Sequence, residues 1–200
     1  KRFFQLGVAE QNMMGVAAGL AACGLIAFPT CFAAFASKRA HDQVSISIAY
    51  TNLNVKIVGS YSGLSSANTG ATHQAIDDIA TMRAMPNMKI VVPADALEMK
   101  QAVFAVAAED GPFYLRIAKC QVPDIFADDY KFELGKAVIL RRGSDVGLLS
   151  TGIMTSRCLD AAAALQKDGI EAAILHVPTL KPLDTDKVLE VARHTGALVT

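Results

Sequence analysis

Apolar residues arrive along this chain in two alternating rhythms. Short β-prone runs recur at 3–8, 25–30, 55–59, 89–92 and 113–117, and longer stretches of helical character lie between them at 10–23, 35–52, 74–85 and 96–109. The Ala, Gly and Met content of the first helix permits close packing. Pro86-Asn87 closes the third helix, and Pro93 ends the strand that follows it. Strands alternating with long helices imply an α/β fold, a mostly parallel sheet with helices on both faces. Ligands of such sheets lie beyond the carboxyl ends of the strands. That rule gathers Ala9-Glu10 and the segments 31–35, 60–73 and 116–119 on one rim.

Between Cys120 and Lys131 the pattern breaks into Pro, Asp and aromatic residues, which reads as a linker over 121–131 between a first domain, 1–120, and a second α/β domain, 132–200. The runs 136–140 and 145–150 flank the tight turn Arg141-Arg142-Gly143-Ser144, the signature of a hairpin. A helix over 156–167 follows, with Ser156 as N-cap and Asp168-Gly169 as its stop. A strand over 171–176, a helix over 184–194 and a strand ending at Thr200 complete the pattern. The opening on an apolar run without an initiator Met, and the close on another, predict truncation at both ends.

With 52% apolar residues the chain can bury one substantial core or two modest ones. Nineteen basic residues balance nineteen acidic ones without a single-sign block, so no field suited to a nucleic-acid backbone is present. Cys23, Cys31, Cys120 and Cys158 show no zinc-ligand spacing and read as buried thiols of a reducing, cytoplasmic compartment. Apolar stretches are interrupted well before the roughly 18 residues of a membrane span, and no signal peptide is visible.

Four places on the rim could carry chemistry. Glu10, at a strand-to-helix junction, can share a proton with a ring nitrogen or simply favour the helix dipole. Phe32 and Phe35, three residues apart, can form a flat wall for a planar ring or ordinary core. His73 stands in a polar loop placed at a helix start, which predicts a neutral ring that donates or accepts. Arg116 ends a strand and suits a phosphate, a carboxylate or a plain salt bridge. His41, His176 and His194 show no metal-ligand spacing and read as surface or local structure. The glycines at 59 and 63 do not make a dinucleotide fingerprint, and no nucleophile elbow occurs.

These residues fall into an ordered set of motifs. Gly7-Val8-Ala9-Glu10-Gln11-Asn12-Met13 resembles the G-[VI]-x-E-[QH] segment of transketolases and 1-deoxyxylulose-5-phosphate synthases. Cys31-Phe32-Ala33-Ala34-Phe35 resembles the aromatic segment after the next strand in transketolases. Gly70-Ala71-Thr72-His73-Gln74 is similar to their G-P-[ST]-[HQ] loop, and Met85-Pro86-Asn87 with Pro93-Ala94-Asp95 is similar to I-P-N…P-[AS]-D. Lys181-Pro182-Leu183-Asp184 resembles a segment of their C-terminal domain. The resemblance runs the length of the chain and implies the pyrimidine-binding domain of a transketolase followed by the start of its C-terminal domain.

What the resemblance implies is specific. Glu10 would hydrogen-bond N1′ of the aminopyrimidine of thiamine diphosphate, favouring the tautomer whose 4′ nitrogen removes the thiazolium proton. Phe32 and Phe35 would pack around that ring, and His73 would steady charge developing on a substrate oxygen. Arg116 would reach a substrate phosphate. Thr69 stands where many transketolases have an aspartate for a sugar hydroxyl, Tyr61 where they have a phosphate-contacting histidine, and Lys38 where a tyrosine is common. These departures put ordinary pentose-phosphate specificity in question and leave modified or unphosphorylated ketoses open.

The G-D-G…Asn motif that binds Mg²⁺ and diphosphate in this family does not occur in these 200 residues. The diphosphate-binding half is then upstream in the same polypeptide or a separate subunit, and the enzyme a dimer or heterotetramer acting on sugars. The leading expectation is ketol transfer. The alternatives are 1-deoxyxylulose-5-phosphate synthase, a 2-oxo acid dehydrogenase E1 β subunit, or a non-catalytic regulatory or scaffolding subunit.

Overall fold

A computed structural model describes residues 2–200. It divides into two compact units, one built on the chain up to Ile90 plus Val106–Cys120, the other on Val91–Ala105 plus Gln121–Thr200.

In the first unit β1 (Thr30–Phe32), β2 (Lys56–Ser60), β3 (Lys89–Val91) and β4 (Phe113–Arg116) lie in the order β1-β2-β4-β3. The pairs β1–β2 and β2–β4 are parallel, with Phe32 opposite Ser60 and Gly59 opposite Arg116. Phe113, Tyr114 and Leu115 are fully buried, as a strand covered on both faces requires. Each such side chain contributes roughly 2 kcal/mol of apolar burial. Helix α1 (Glu10–Ala22) turns Met14, Ala17, Ala18 and Ala21 inward against the wide-turned helical segment Gln43–Tyr50, and its small residues let the two approach. α2 (Asp78–Ala84) stops where expected, because Met85 precedes Pro86 and is driven to an extended conformation, ψ 136°.

Three expectations for this unit change. Residues 3–8 form no strand, and Phe3, Phe4 and Val8 stand 60% exposed or more. β-propensity makes a strand only where a ladder partner is available, and none of the described residues offers one here. The strand expected at 25–30 lies later, at Thr30–Phe32, leaving Leu25, Ile26 and Phe28 exposed and Ala27 in a single bridge to Val55. α2 begins at Asp78 rather than at residue 74, with Asp77 preceding it.

In the second unit α3 (Ala96–Ala108) contributes its first turns. The sheet holds β5 (Val138–Arg141), β6 (Val146–Ser150), β7 (Ala172–His176) and β9 (Ala197–Val199), in the order β5-β7-β6-β9. β8 (Thr179–Lys181) follows β7 in sequence. Helices α4 (Met154–Lys167) and α5 (Thr185–His194) complete the unit. The expected hairpin between β5 and β6 is absent. β7 lies between them, antiparallel to β5 and parallel to β6. All five β7 residues are buried, so this strand takes a central place and separates its neighbours. Gly143 allows the passage, since a Cβ there would overlap the backbone of Ala172. Ser156 lies inside α4 and donates to the Ile153 carbonyl instead of capping, whereas Asp168-Gly169 does end the helix, with Gly169 at φ 76°. Asp184 caps α5 by accepting from Lys187 N at 3.2 Å.

Candidate functional site

The first residue of α1 places Glu10 at the rim of the parallel sheet with its side chain 8% exposed. Arg39 Nη1 donates to Glu10 Oε2 at 2.9 Å. Arg39 ends the wide-turned segment Phe35–Arg39, and its guanidinium lies 4.3 Å above the Phe35 ring centroid. This arginine is not among the residues brought forward by the sequence motifs. Its signal was the four-residue spacing from Phe35, which places both side chains on one helical face. A carboxylate this buried needs a partner. Because the Arg39 side chain is 48% exposed, water weakens the pair to about 1 kcal/mol.

Phe35, over which Arg39 lies, belongs to a cluster of four rings. Phe32 and Phe35 are parallel within 4°, their centroids 5.8 Å apart. Tyr61 stacks on Phe32 at 4.4 Å, and His73 meets Phe32 and Phe35 edge-on at 5.9 and 5.0 Å. Tyr61 stands at φ 56°, a left-handed conformation that costs an aromatic residue about 1 kcal/mol or more and that is found preferentially at functional sites. The loop thus accepts backbone strain to lay this ring on Phe32.

His73 lies in a turn five residues before α2 begins, so the helix dipole invoked from the sequence does not act on it. Its local partner is Thr72, with Oγ1 2.8 Å from Nδ1. When Thr72 donates there, the neutral ring carries its proton on Nε2 and offers a donor.

The remaining candidates have other employments. Arg116 is held by Asp78, Nε to Oδ2 at 2.7 Å and Nη2 to Oδ1 at 3.2 Å. Thr69 donates to the Ser66 carbonyl at 3.0 Å within its own tight turn. Lys38 pairs with Asp77 at 3.2 Å, both about half exposed. Lys119, by contrast, is exposed, lies 5.1 Å above the Tyr61 ring, and has no ion-pair partner among the described residues. The sequence pointed to Arg116, and the geometry brings forward the lysine three positions later.

All four cysteines are free, but they are not uniformly buried: Cys23 and Cys120 are exposed. Burial first, and then the Glu10 charge, push the Cys31 thiol up to about 12, so it stays protonated at neutral pH. His176, expected at the surface or in local structure, is fully buried and bonded to Glu98 in the second unit. Among the described residues no group of three or more His, Cys, Asp or Glu is arranged to hold a metal ion. Nor is any helix among them long and apolar enough to cross a membrane.

Comparison with known proteins identifies the family and the fold. Residues 1–124 match the transketolase pyrimidine-binding domain, and residues 135–200 match the transketolase C-terminal domain. A 6-deoxy-6-sulfo-D-fructose transketolase subunit from Clostridium sp. is 46% identical over 100% of this chain and 62% of its own length. An apulose-4-phosphate transketolase subunit from Phocaeicola vulgatus is 36% identical over 100% of the chain and 64% of its own. A solved structure described as a split-gene transketolase, inactive β4 tetramer, superposes with a TM-score of 0.92 at 45% identity, covering 100% of this chain and 64% of that one. The chain therefore spans less than two thirds of the length of these relatives.

Proposed function

This chain belongs to the transketolase family, and from that premise we propose that it supplies the pyrimidine-facing part of a thiamine-diphosphate transferase moving a two-carbon ketol unit between sugars. The observation that carries the reading is Glu10, buried and joined through the Arg39 guanidinium to the face of Phe35, whose ring is parallel to that of Phe32. A planar heteroaromatic ring with a basic nitrogen fits this donor set: one face for Phe35, one edge for a carboxylate. The diphosphate and its Mg²⁺ call for the G-D-G…Asn motif, which does not occur in these 200 residues. Those groups belong to a diphosphate-binding domain or subunit, in a dimeric or heterotetrameric assembly.

The cofactor, once bound, supplies the carbanion chemistry. The residues of this chain bind, orient and move protons around it. Glu10 holds a proton against the ring nitrogen, Phe32 and Phe35 shield the ring from water, and His73 Nε2 donates to the substrate oxygen on which charge develops. Lys119 over Tyr61 is the rim cation available for an anionic substituent at the far end of the sugar, Arg116 being neutralised by Asp78. Two relatives are described as acting on a sulfonated and a phosphorylated sugar, which supports an anionic ketose as the substrate class.

The test uses the complete enzyme with its diphosphate-binding part. Glu10→Gln is expected to slow exchange of the C2 proton of bound thiamine diphosphate by about 100-fold or more. Exchange at the wild-type rate overturns the assignment. Lys119→Met is expected to raise KM for an anionic ketose about ten-fold while leaving a neutral ketose unaffected. Equal effects on both would remove Lys119 from substrate recognition.

A further inference from the structure

The contacts of Arg39 coincide with those the proposed reading gives to the cofactor's ring. A guanidinium is a planar cation that stacks on aromatic faces and donates N–H bonds to carboxylates. Arg39 does both at once, lying 4.3 Å over the Phe35 ring and donating to Glu10 Oε2 at 2.9 Å. An aminopyrimidine would use the same ring and the same carboxylate. We propose that Arg39 is a positioning residue that keeps the aminopyrimidine's place: its guanidinium covers Phe35 and engages Glu10 in the cofactor-free protein, and leaves both when the ring enters. The inference rests on the reading of Glu10 and Phe35 given above.

Three observations support displacement over permanent residence. The Arg39 side chain is 48% exposed while that of Glu10 is 8% exposed, so the guanidinium reaches inward from water and can return there without burying its charge elsewhere. The backbone need not move with it. Phe35–Arg39 is helical, Ala40 N donates to the Phe35 carbonyl at 3.0 Å, and neighbouring Lys38 is paired with Asp77. Finally, Phe32 packs with Phe35, Tyr61 and His73, and His73 with Phe35, so these rings hold one another in place without the guanidinium.

The energetic consequence has a definite sign. A contact made only in the free state lowers apparent affinity in proportion to its population, and removing it raises affinity. For a half-exposed ion pair with a stacked guanidinium, the gain is roughly three- to ten-fold. A residue that merely supports Glu10 would give the opposite sign. Its loss would leave the carboxylate without its partner and weaken binding.

Thiamine diphosphate is titrated into the complete protein carrying its diphosphate-binding part, as wild type, Arg39→Met, Arg39→Lys, Glu10→Gln and the double variant Arg39→Met/Glu10→Gln. Equilibrium affinity, stopped-flow association rate and C2 proton exchange of the bound cofactor are read, not turnover. Arg39→Met is expected to bind roughly three- to ten-fold tighter with a faster association phase. Arg39→Lys, which keeps the charge but not the plane, should fall between. The gain should vanish in the Glu10→Gln background. Unchanged or weaker binding by Arg39→Met, with Glu10→Gln still impaired in cofactor proton exchange, overturns the placeholder alone. Absence of cofactor binding by the wild type overturns both the placeholder and the reading beneath it.

Discussion

Arg116 and Asp78 meet edge to edge, Nε 2.7 Å from Oδ2 and Nη2 3.2 Å from Oδ1, where the end of β4 faces the start of α2. The Tyr114 hydroxyl gives Oδ2 a further bond at 2.8 Å. Asp78 is 1% exposed, so three donors replace the water it has lost. Gly59 belongs to the same arrangement, because a Cβ there would overlap the Tyr114 ring. This cluster braces the rim from beneath the loop that carries Tyr61 and His73.

Asp78→Asn is expected to destabilise the protein by about 3 kcal/mol, since it removes the charge that balances a largely buried guanidinium. The check is a urea unfolding curve for the complete protein. A change within about 0.5 kcal/mol would mean that water reaches the pair and that Arg116 is free for other work.

The second unit contains a longer polar chain. Ser150 Oγ donates to Thr155 Oγ1 at 3.1 Å, and Thr155 Oγ1 lies 2.8 Å from His176 Nδ1. His176 Nε2 in turn lies 2.9 Å from Glu98 Oε2. With Thr155 donating, the imidazole is neutral and its Nε2–H points at the carboxylate. Glu98 also accepts from Tyr130 Oη and from Ala94 N, each at 2.7 Å, and so ties down the segment around Tyr130. The hydroxyl–imidazole–carboxylate order is that of a hydrolytic triad, but Thr155, His176 and Glu98 have no exposed surface, and no substrate can reach them. Its work is structural.

Glu98→Gln should therefore cost about 3 kcal/mol, because an amide nitrogen would face groups that are themselves donors. It should also expose the segment near Tyr130 to limited proteolysis. A variant cleaved no faster than wild type would show that Phe126 stacking, the Asp95 bonds to Ile125 and Phe126 and the Gln101 bonds to Tyr130 and Phe132 hold that segment without Glu98.

How much of this was legible in the sequence depended on how local the cause was. Helix α1 was expected at 10–23 and found at Glu10–Ala22, because its own Ala-rich composition specifies it. Glu10, Phe32, Phe35, Tyr61 and His73 could be gathered on one rim because parallel strand polarity sends every carboxyl end the same way. The β5–β6 hairpin failed for the opposite reason. A tight turn was visible, but the insertion of β7 is decided by a strand that begins about thirty residues further on. Arg39 and Glu98 escaped notice because a charged side chain shows no hydrophobic pattern, and their partners lie 29 and 78 residues away.

Lys56 escaped for the same reason, and it gives the protein a pH dependence with a definite sign. The residue is fully buried, with Nζ bonded to the carbonyls of Glu109 at 2.6 Å and Gly111 at 2.8 Å and lying 4.3 Å over the Phe113 ring. Burial, and then the nearby Lys89 charge, bring its pKa from 10.5 down to about 8. Between those values the unfolded chain binds more protons than the folded one at this position, so the contribution of Lys56 to stability rises with pH. It is fully present above 10.5 and lost as pH falls through about 8. The span amounts to about 3 kcal/mol. Lys56→Met leaves two carbonyls without a donor at every pH, a constant loss, while removing the titration. The stability of the wild type relative to Lys56→Met should therefore climb between pH 8 and 10.5, measured as paired urea midpoints across that range. A flat difference would mean that the folded lysine titrates where the unfolded one does, and that the two carbonyls fully compensate its burial.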